Sequence, residues 1–185
     1  MALGILAAME EEIGRMTEMI EAPVHTELGG RVFVQGKING IDCVAVFSKW
    51  GKVAAAITAT LMIEHFHIDK LIFIGTAGAL SDKLNVGDIV VSRRLVQHDL
   101  DARPIIPRFQ IPLTDKSYVD SDRQLSELAV KSVNKLIQKD FAEIVGVEVQ
   151  REFSFIKPVL WEGDIASGDQ FINSDEKRNE LISLL

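Results

Sequence analysis

One cysteine, Cys43, is the only thiol in this 185-residue sequence. That excludes an intrachain disulfide framework and any CxxC pair, and it fits a reducing compartment. Lying in the strand-like run IDCVAVF, Cys43 reads as a buried structural thiol. No apolar run reaches the roughly 18 residues of a membrane span. Residues 1–8 are too short, and lack the basic flank, for a signal peptide. The expected setting is therefore cytoplasmic, with no membrane partner. Positive charge is sparse and scattered, and the formal net charge is −7, which argues against a nucleic-acid partner. The four histidines show no HxxxH or HExxH spacing, so His98-Asp99 with Asp101 is not expected to hold a metal. Internal repeats, low-complexity segments, GxGxxG and GxSxG are all missing. In Gly51-Lys52 the first glycine of a phosphate loop is replaced by Val46, which rules that motif out.

What the sequence does have is an ordinary globular balance, 47% hydrophobic and 25% charged, and enough length for a real core. Its organising stretch is LIFIGTAGAL, residues 71–80. Four consecutive apolar residues read as a strand buried on both faces, and Gly75-Thr76-Ala77-Gly78 then breaks it. Small residues at such a break allow a sharp turn and close approach of a ligand to main-chain N–H groups. In a parallel sheet, ligands bind just past the carboxyl ends of strands, so the pocket is expected there.

Residues 3–8 read as a first strand, followed by a helix that opens with Met9-Glu10-Glu11-Glu12. Three carboxylates in a first helical turn suit the helix dipole, and the position also lets one of them face the pocket. Asn39-Gly40 between two apolar runs, 31–38 and 41–47, is a hairpin signal. A helix is expected over 53–66, a turn at 85–88, a buried strand at 89–92 and a proline-bearing loop over 102–115 that serves as a flap or subunit contact. A helix at 121–139, strands at 142–149 and 158–166, and a last helix at 175–185 capped by Ser174 complete the reading. Trp50 reads by default as core. The alternation gives an α/β fold with a mixed sheet in a single domain. A second glycine-bearing strand end, Ser167-Gly168-Asp169-Gln170-Phe171-Ile172-Asn173, offers an aromatic that could stack on a flat ring and a backbone that could read its edge. A carboxylate among Glu10–Glu12 could activate water. Composition and spacing go no further than an α/β hydrolase or small-molecule binder.

GILAAMEEEIGRM, SKWGKVAAAITATLMIEH, IFIGTAGAL with VGDIVVS, and ASGDQFIN, in this order and spacing, resemble 5′-methylthioadenosine/S-adenosylhomocysteine nucleosidases. The resemblance implies a nucleoside-phosphorylase-like fold over residues 1–185: a central twisted mixed sheet flanked by helices. It implies a homodimer, no cofactor, and hydrolysis of the N-glycosidic bond of a small-molecule nucleoside to release adenine. By the same resemblance Glu12 activates the water. Met9 and Trp50 face the ribose and the 5′ substituent, Thr76 stands where the family usually has serine, and Ala77 and Gly78 turn beneath the base. Phe171 stacks on adenine, and Ile172 reads its edge through the backbone. Trp50 departs from the family's usual aliphatic residue. Family sequences continue into a VEME strand and a Ser-Asp pair that supplies the acid; this sequence lacks both, and so reads as a C-terminally truncated portion of the family domain, either a fragment or a shortened homologue without the acid. Residues 144–161 form a longer link than usual.

Other readings share the motifs. Cleavage of aminodeoxyfutalosine is one. A phosphorylase is another, but Phe73 stands where uridine-phosphorylase-like proteins carry an arginine, and Met9–Glu12 replaces their phosphate loop. An impaired adenosine-binding subunit is the alternative without catalysis.

Overall fold

The computed structural model describes residues 2–152 and 158–185. It is α/β and divides into two compact units, Met1–Ala77 and Gly78–Leu185.

The first unit is a five-stranded mixed sheet in the order β2-β3-β4-β1-β5. Its strands are β1 (Ala2–Ala7), β2 (Glu21–Leu28), β3 (Arg31–Ile38), β4 (Ile41–Phe47) and β5 (Ile68–Ile74). Strand β1 lies parallel to both β4 and β5, whereas β3 runs antiparallel to β2 and β4. Successive side chains of a strand point to opposite faces, and the core accordingly has two clusters. Ile5, Ala7, Cys43 and Ala45 pack with Ile13 of α1 (Glu10–Glu18); Leu6, Val44, Val46 and Phe33 pack with Met62 of α2 (Lys52–Glu64). The 39–40 hairpin forms as read, with Asn39 and Gly40 both at positive φ, the geometry a two-residue turn of this kind requires. Cys43 is buried, and burial followed by the Asp42 charge pushes its thiol pKa up.

Two expectations change, and one strand is additional to those expected. Strand β5 is not buried on both faces: it ends the sheet order, and Leu71, Ile72 and Phe73 are 37%, 37% and 57% exposed. An apolar run alone cannot distinguish a central strand from an edge one. Trp50 is not core; its side chain is 76% exposed on the connection between β4 and α2. Strand β2 went unread because its exposed sequence EAPVHTEL carries no alternation of apolar and polar residues.

The second unit holds a three-stranded sheet in the order β7-β6-β8. These are β6 (Ile89–Gln97), β7 (Tyr118–Asp120) and β8 (Leu160–Ser167), with β6 parallel to β8 and antiparallel to β7. Residues 89–92 are only half-buried rather than fully buried. Helix α3 (Arg123–Lys135) starts on Asp122, whose side chain accepts the Leu125 N–H, and continues into a π-helical turn, Leu136–Asp140. The expected strand at 142–149 is instead two short helices, α4 (Phe141–Ile144) and α5 (Val147–Glu152). A short apolar run of this kind fits either period, and here the helical hydrogen bonds, Val145 N–H to Phe141 O among them, prevail. Of the long link at 144–161, residues 153–157 lie outside the described residues. The last helix, α6 (Asp175–Leu184), has the expected cap: the Ser174 hydroxyl accepts the Lys177 N–H. No helix among the described residues is long and apolar enough to cross a membrane.

Candidate active site

In the first unit the parallel register aligns Ala7 of β1 with Ile74 of β5. The two chains therefore leave the sheet side by side, one into Ala8-Met9 and α1, the other into Gly75-Thr76. Met9 is the extended residue that precedes α1 (φ −136°, ψ 151°), which places Glu12 at the third helical position. From there its carboxylate folds back on the chain. One oxygen, Oε2, accepts the N–H groups of Ala8 (3.2 Å) and Met9 (3.1 Å). A glutamate that reaches back in this way satisfies helix-start donors and needs no further role to explain it. The other oxygen does something the cap does not require: Oε1 accepts the Thr76 N–H at 2.8 Å and the Thr76 hydroxyl at 3.0 Å, from 64 residues away.

Gly75 makes that approach possible. A Cβ at this position would lie 3.1 Å from both carboxylate oxygens and 3.2 Å from their carbon, so even alanine would push the carboxylate away. Glu10 and Glu11, in contrast, are exposed on the same turn. Met9, Glu12 and Thr76 are thus brought together, and Ala77 follows on the exposed break. Trp50 is exposed on its own connection. An open groove lined by Glu21, Lys37, Asp42, His67 and Asp69 lies at the opposite end of the sheet, where β1 and β4 begin, away from Glu12.

In the second unit the register of β6 and β8 ends at Gln97 opposite Ser167. The next residues, His98 and Asp99, hold the start of the glycine-bearing loop: the His98 N–H donates to Ser167 O (3.0 Å), and Asp99 Oδ2 accepts the Asp169 N–H (2.8 Å). Beyond this anchored start, Phe171 presents its ring to solvent, 90% exposed, and Ile172 is half-buried. Gly78, exposed, begins this unit, and the segment after it is tied to α6. Arg178 donates to the carbonyls of Ala79 (2.9 Å) and Leu80 (3.1 Å) and pairs with Asp82.

Four described carboxylates of this unit are held below their usual pKa: Asp164 chiefly by the hydrogen bond from Arg94, Glu180 chiefly by that from Lys177, and Asp88 and Asp101 as follows. Burial works to raise the Asp88 pKa, but donors from the Asn85 and Val159 N–H groups and the Trp161 indole outweigh it and bring it below the usual carboxylate value. Asp101 is held at about 2, chiefly by its hydrogen bond from the Arg103 guanidinium. No group of three or more His, Cys, Asp or Glu suited to a metal occurs among the described residues. Sequence reasoning missed the Asp88 staple, the Arg178 ties and the support that His98 and Asp99 give to the loop. Pairing between β6 and β8, more than 60 residues apart, is what creates that support, and no local pattern announces it.

The phosphorylase superfamily profile matches residues 2–185, across both units. An aminodeoxyfutalosine nucleosidase of Helicobacter pylori strain J99 is 34% identical over 98% of this chain and 70% of its own length. A 5′-methylthioadenosine/S-adenosylhomocysteine nucleosidase of Staphylococcus saprophyticus is 35% identical over 97% of this chain and 70% of its own. Among solved structures, the Colwellia psychrerythraea nucleosidase in complex with adenine superposes with a TM-score of 0.85 at 30% identity, covering 99% of this chain and 68% of that one. A Helicobacter pylori nucleosidase mutant with 5′-methylthioadenosine in its active site gives 0.81 at 34% identity, covering 98% and 71%. By the extent of these matches, the chain belongs to the phosphorylase superfamily and is related within it to the methylthioadenosine/S-adenosylhomocysteine nucleosidases and futalosine hydrolases.

Proposed function

We propose that the protein is a purine nucleosidase that hydrolyses the N-glycosidic bond of 5′-methylthioadenosine or S-adenosylhomocysteine, releasing adenine. The observation that carries this reading is the Glu12 carboxylate, drawn by Thr76 to the carboxyl end of β5 in a chain about a third identical to such nucleosidases. A water attacking the anomeric carbon must lose a proton, and Glu12 takes it; the electron pair of the broken C–N bond leaves with adenine, which takes up a proton from solvent or from a general acid. Four donors already occupy the two carboxylate oxygens. Three are backbone N–H groups fixed by the fold; the fourth, the Thr76 hydroxyl, turns about a single bond. The water therefore takes the hydroxyl's place on Oε1. Phe171 stacks on the adenine, Ile172 meets its edge through the backbone, Ala77 and Gly78 turn beneath the base, and Met9 and Trp50 face the ribose and the 5′ substituent.

Cleavage of aminodeoxyfutalosine is the second reading. It is favoured by the Helicobacter pylori relative of that name, which is as similar as those named for methylthioadenosine. The test is kcat/KM for adenine release from methylthioadenosine, S-adenosylhomocysteine and aminodeoxyfutalosine, measured side by side. A homodimer belongs to the same proposal, supported by the exposed Val53, Ile57 and Ile63 along α2.

A further inference from the structure

We propose that His98 and Asp99 are positioning residues for adenine recognition, and that the His98 imidazole is the platform on which the loop carrying Phe171 and Ile172 is set. The inference rests on the reading of that loop as the adenine site. Three observations carry it.

First, the imidazole occupies the place a side chain at 168 would take. A methyl built on Gly168 would land 2.6 Å from His98 Cε1 and 2.9 Å from Cδ2, and closer still to Nε2. Contacts this short require something to move. Here the neighbour is a rigid ring, itself only 5% exposed, so it has little room to yield. Glycine at 168 is thus the condition for the backbone to lie against the ring.

Second, the hydrogen bonds on either side of this contact fix the direction of the chain. The His98 N–H extends the β6–β8 pairing by one residue to Ser167 O, and the Asp99 carboxylate takes the Asp169 N–H. Residues 167, 168 and 169 are therefore each held by 98 or 99, by bond, by contact and by bond again.

Third, the hold is applied just before the residues that need aiming. Phe171 is almost wholly exposed, and its ring is directed by the backbone that leads to it. A displacement of about 1 Å at a positioning element can cost up to about 100-fold in rate.

The experiment compares the wild-type protein with Gly168→Ala, His98→Ala, the double variant, Asp99→Ala and Phe171→Ala. Adenine affinity is measured by calorimetry, KM and kcat by adenine release, and folding by thermal midpoint. Gly168→Ala is expected to weaken adenine binding about tenfold or more and His98→Ala, which removes the platform, to weaken it several-fold; the double variant is expected to lose clearly less than the product of the two losses, because the ring that the methyl strikes is gone. Such non-additivity is the signature of direct contact. Asp99→Ala, which leaves the ring in place, is expected to raise KM several-fold at unchanged kcat. A purely structural role would lower the folded fraction instead, reducing apparent kcat while KM stays constant. Should Gly168→Ala fail to fold, His98→Ala and Asp99→Ala decide. Wild-type KM and adenine affinity in Asp99→Ala, wild-type adenine affinity in His98→Ala, or losses that simply multiply in the double variant, overturns the proposal. If Phe171→Ala binds adenine as the wild type does, it is the adenine reading of the loop that fails; if Phe171→Ala weakens binding and the 168 and 99 variants do not, only the platform fails.

Discussion

Replacing Glu12 by glutamine separates the two roles this side chain can have, because the structure assigns each a different size. The amide keeps the length of the side chain but turns one acceptor oxygen into a donor. With its oxygen kept toward Ala8 and Met9, the new NH2 faces Thr76, whose hydroxyl can rotate to accept from it while the Thr76 N–H loses its partner. Losing one hydrogen bond on an exposed segment, where water takes the partner's place, costs about 1 kcal/mol, or about 2–4 °C in the midpoint of a chain this size. Loss of a general base costs about 10²–10⁴ in rate, or about 3–5 kcal/mol of transition-state stabilisation. The catalytic loss therefore far exceeds the capping loss, and the variant remains folded enough to assay. The expected result is kcat for adenine release down by at least about 100-fold, adenine affinity close to wild type and a slightly lowered midpoint. Turnover within tenfold of wild type would refute the assignment and leave Glu12 as a helix cap.

Phe171→Ala is expected to weaken adenine binding by about 1–3 kcal/mol, the usual worth of stacking one base on an aromatic ring; calorimetry on the isolated base checks it. Trp50→Ile should change the ratio of kcat/KM between methylthioadenosine and S-adenosylhomocysteine while leaving adenine affinity and the thermal midpoint unmoved, since the indole is exposed rather than part of the core. Asp88→Ala strips the acceptor from two backbone N–H groups and the Trp161 indole, and should lower stability by about 1.5–3 kcal/mol, read as the loss in a denaturant titration.

Local chemistry made part of this molecule legible from sequence. Asn-Gly fixed a hairpin because few other pairs accept two positive φ values, and Ser174 marked a helix start because its hydroxyl has an orphan N–H to satisfy. The Glu-rich junction and the GTAG break were each visible as unusual. Their meeting through Thr76 was not, since it depends on parallel pairing of segments more than 60 residues apart. The same limit hid the contact of His98 with Gly168: a histidine after a strand looks identical whether it faces solvent, metal or another loop. Burial failed for β5 and for residues 89–92 because an apolar run states a preference, whereas the neighbour that covers it lies elsewhere in the chain. At 141–152 two periods fitted one short stretch, and long-range pairing that would have favoured a strand did not form.

The central claim is that water, activated at Glu12, cleaves the glycosidic bond, with phosphate playing no part. The direct test is to incubate the purified protein, freed of host nucleosidase, with 5′-methylthioadenosine, with and without inorganic phosphate, and to identify both products by mass. The account predicts free adenine and unphosphorylated methylthioribose at the same rate in both reactions. Methylthioribose 1-phosphate formed only when phosphate is present, or no release of adenine at all, would contradict it.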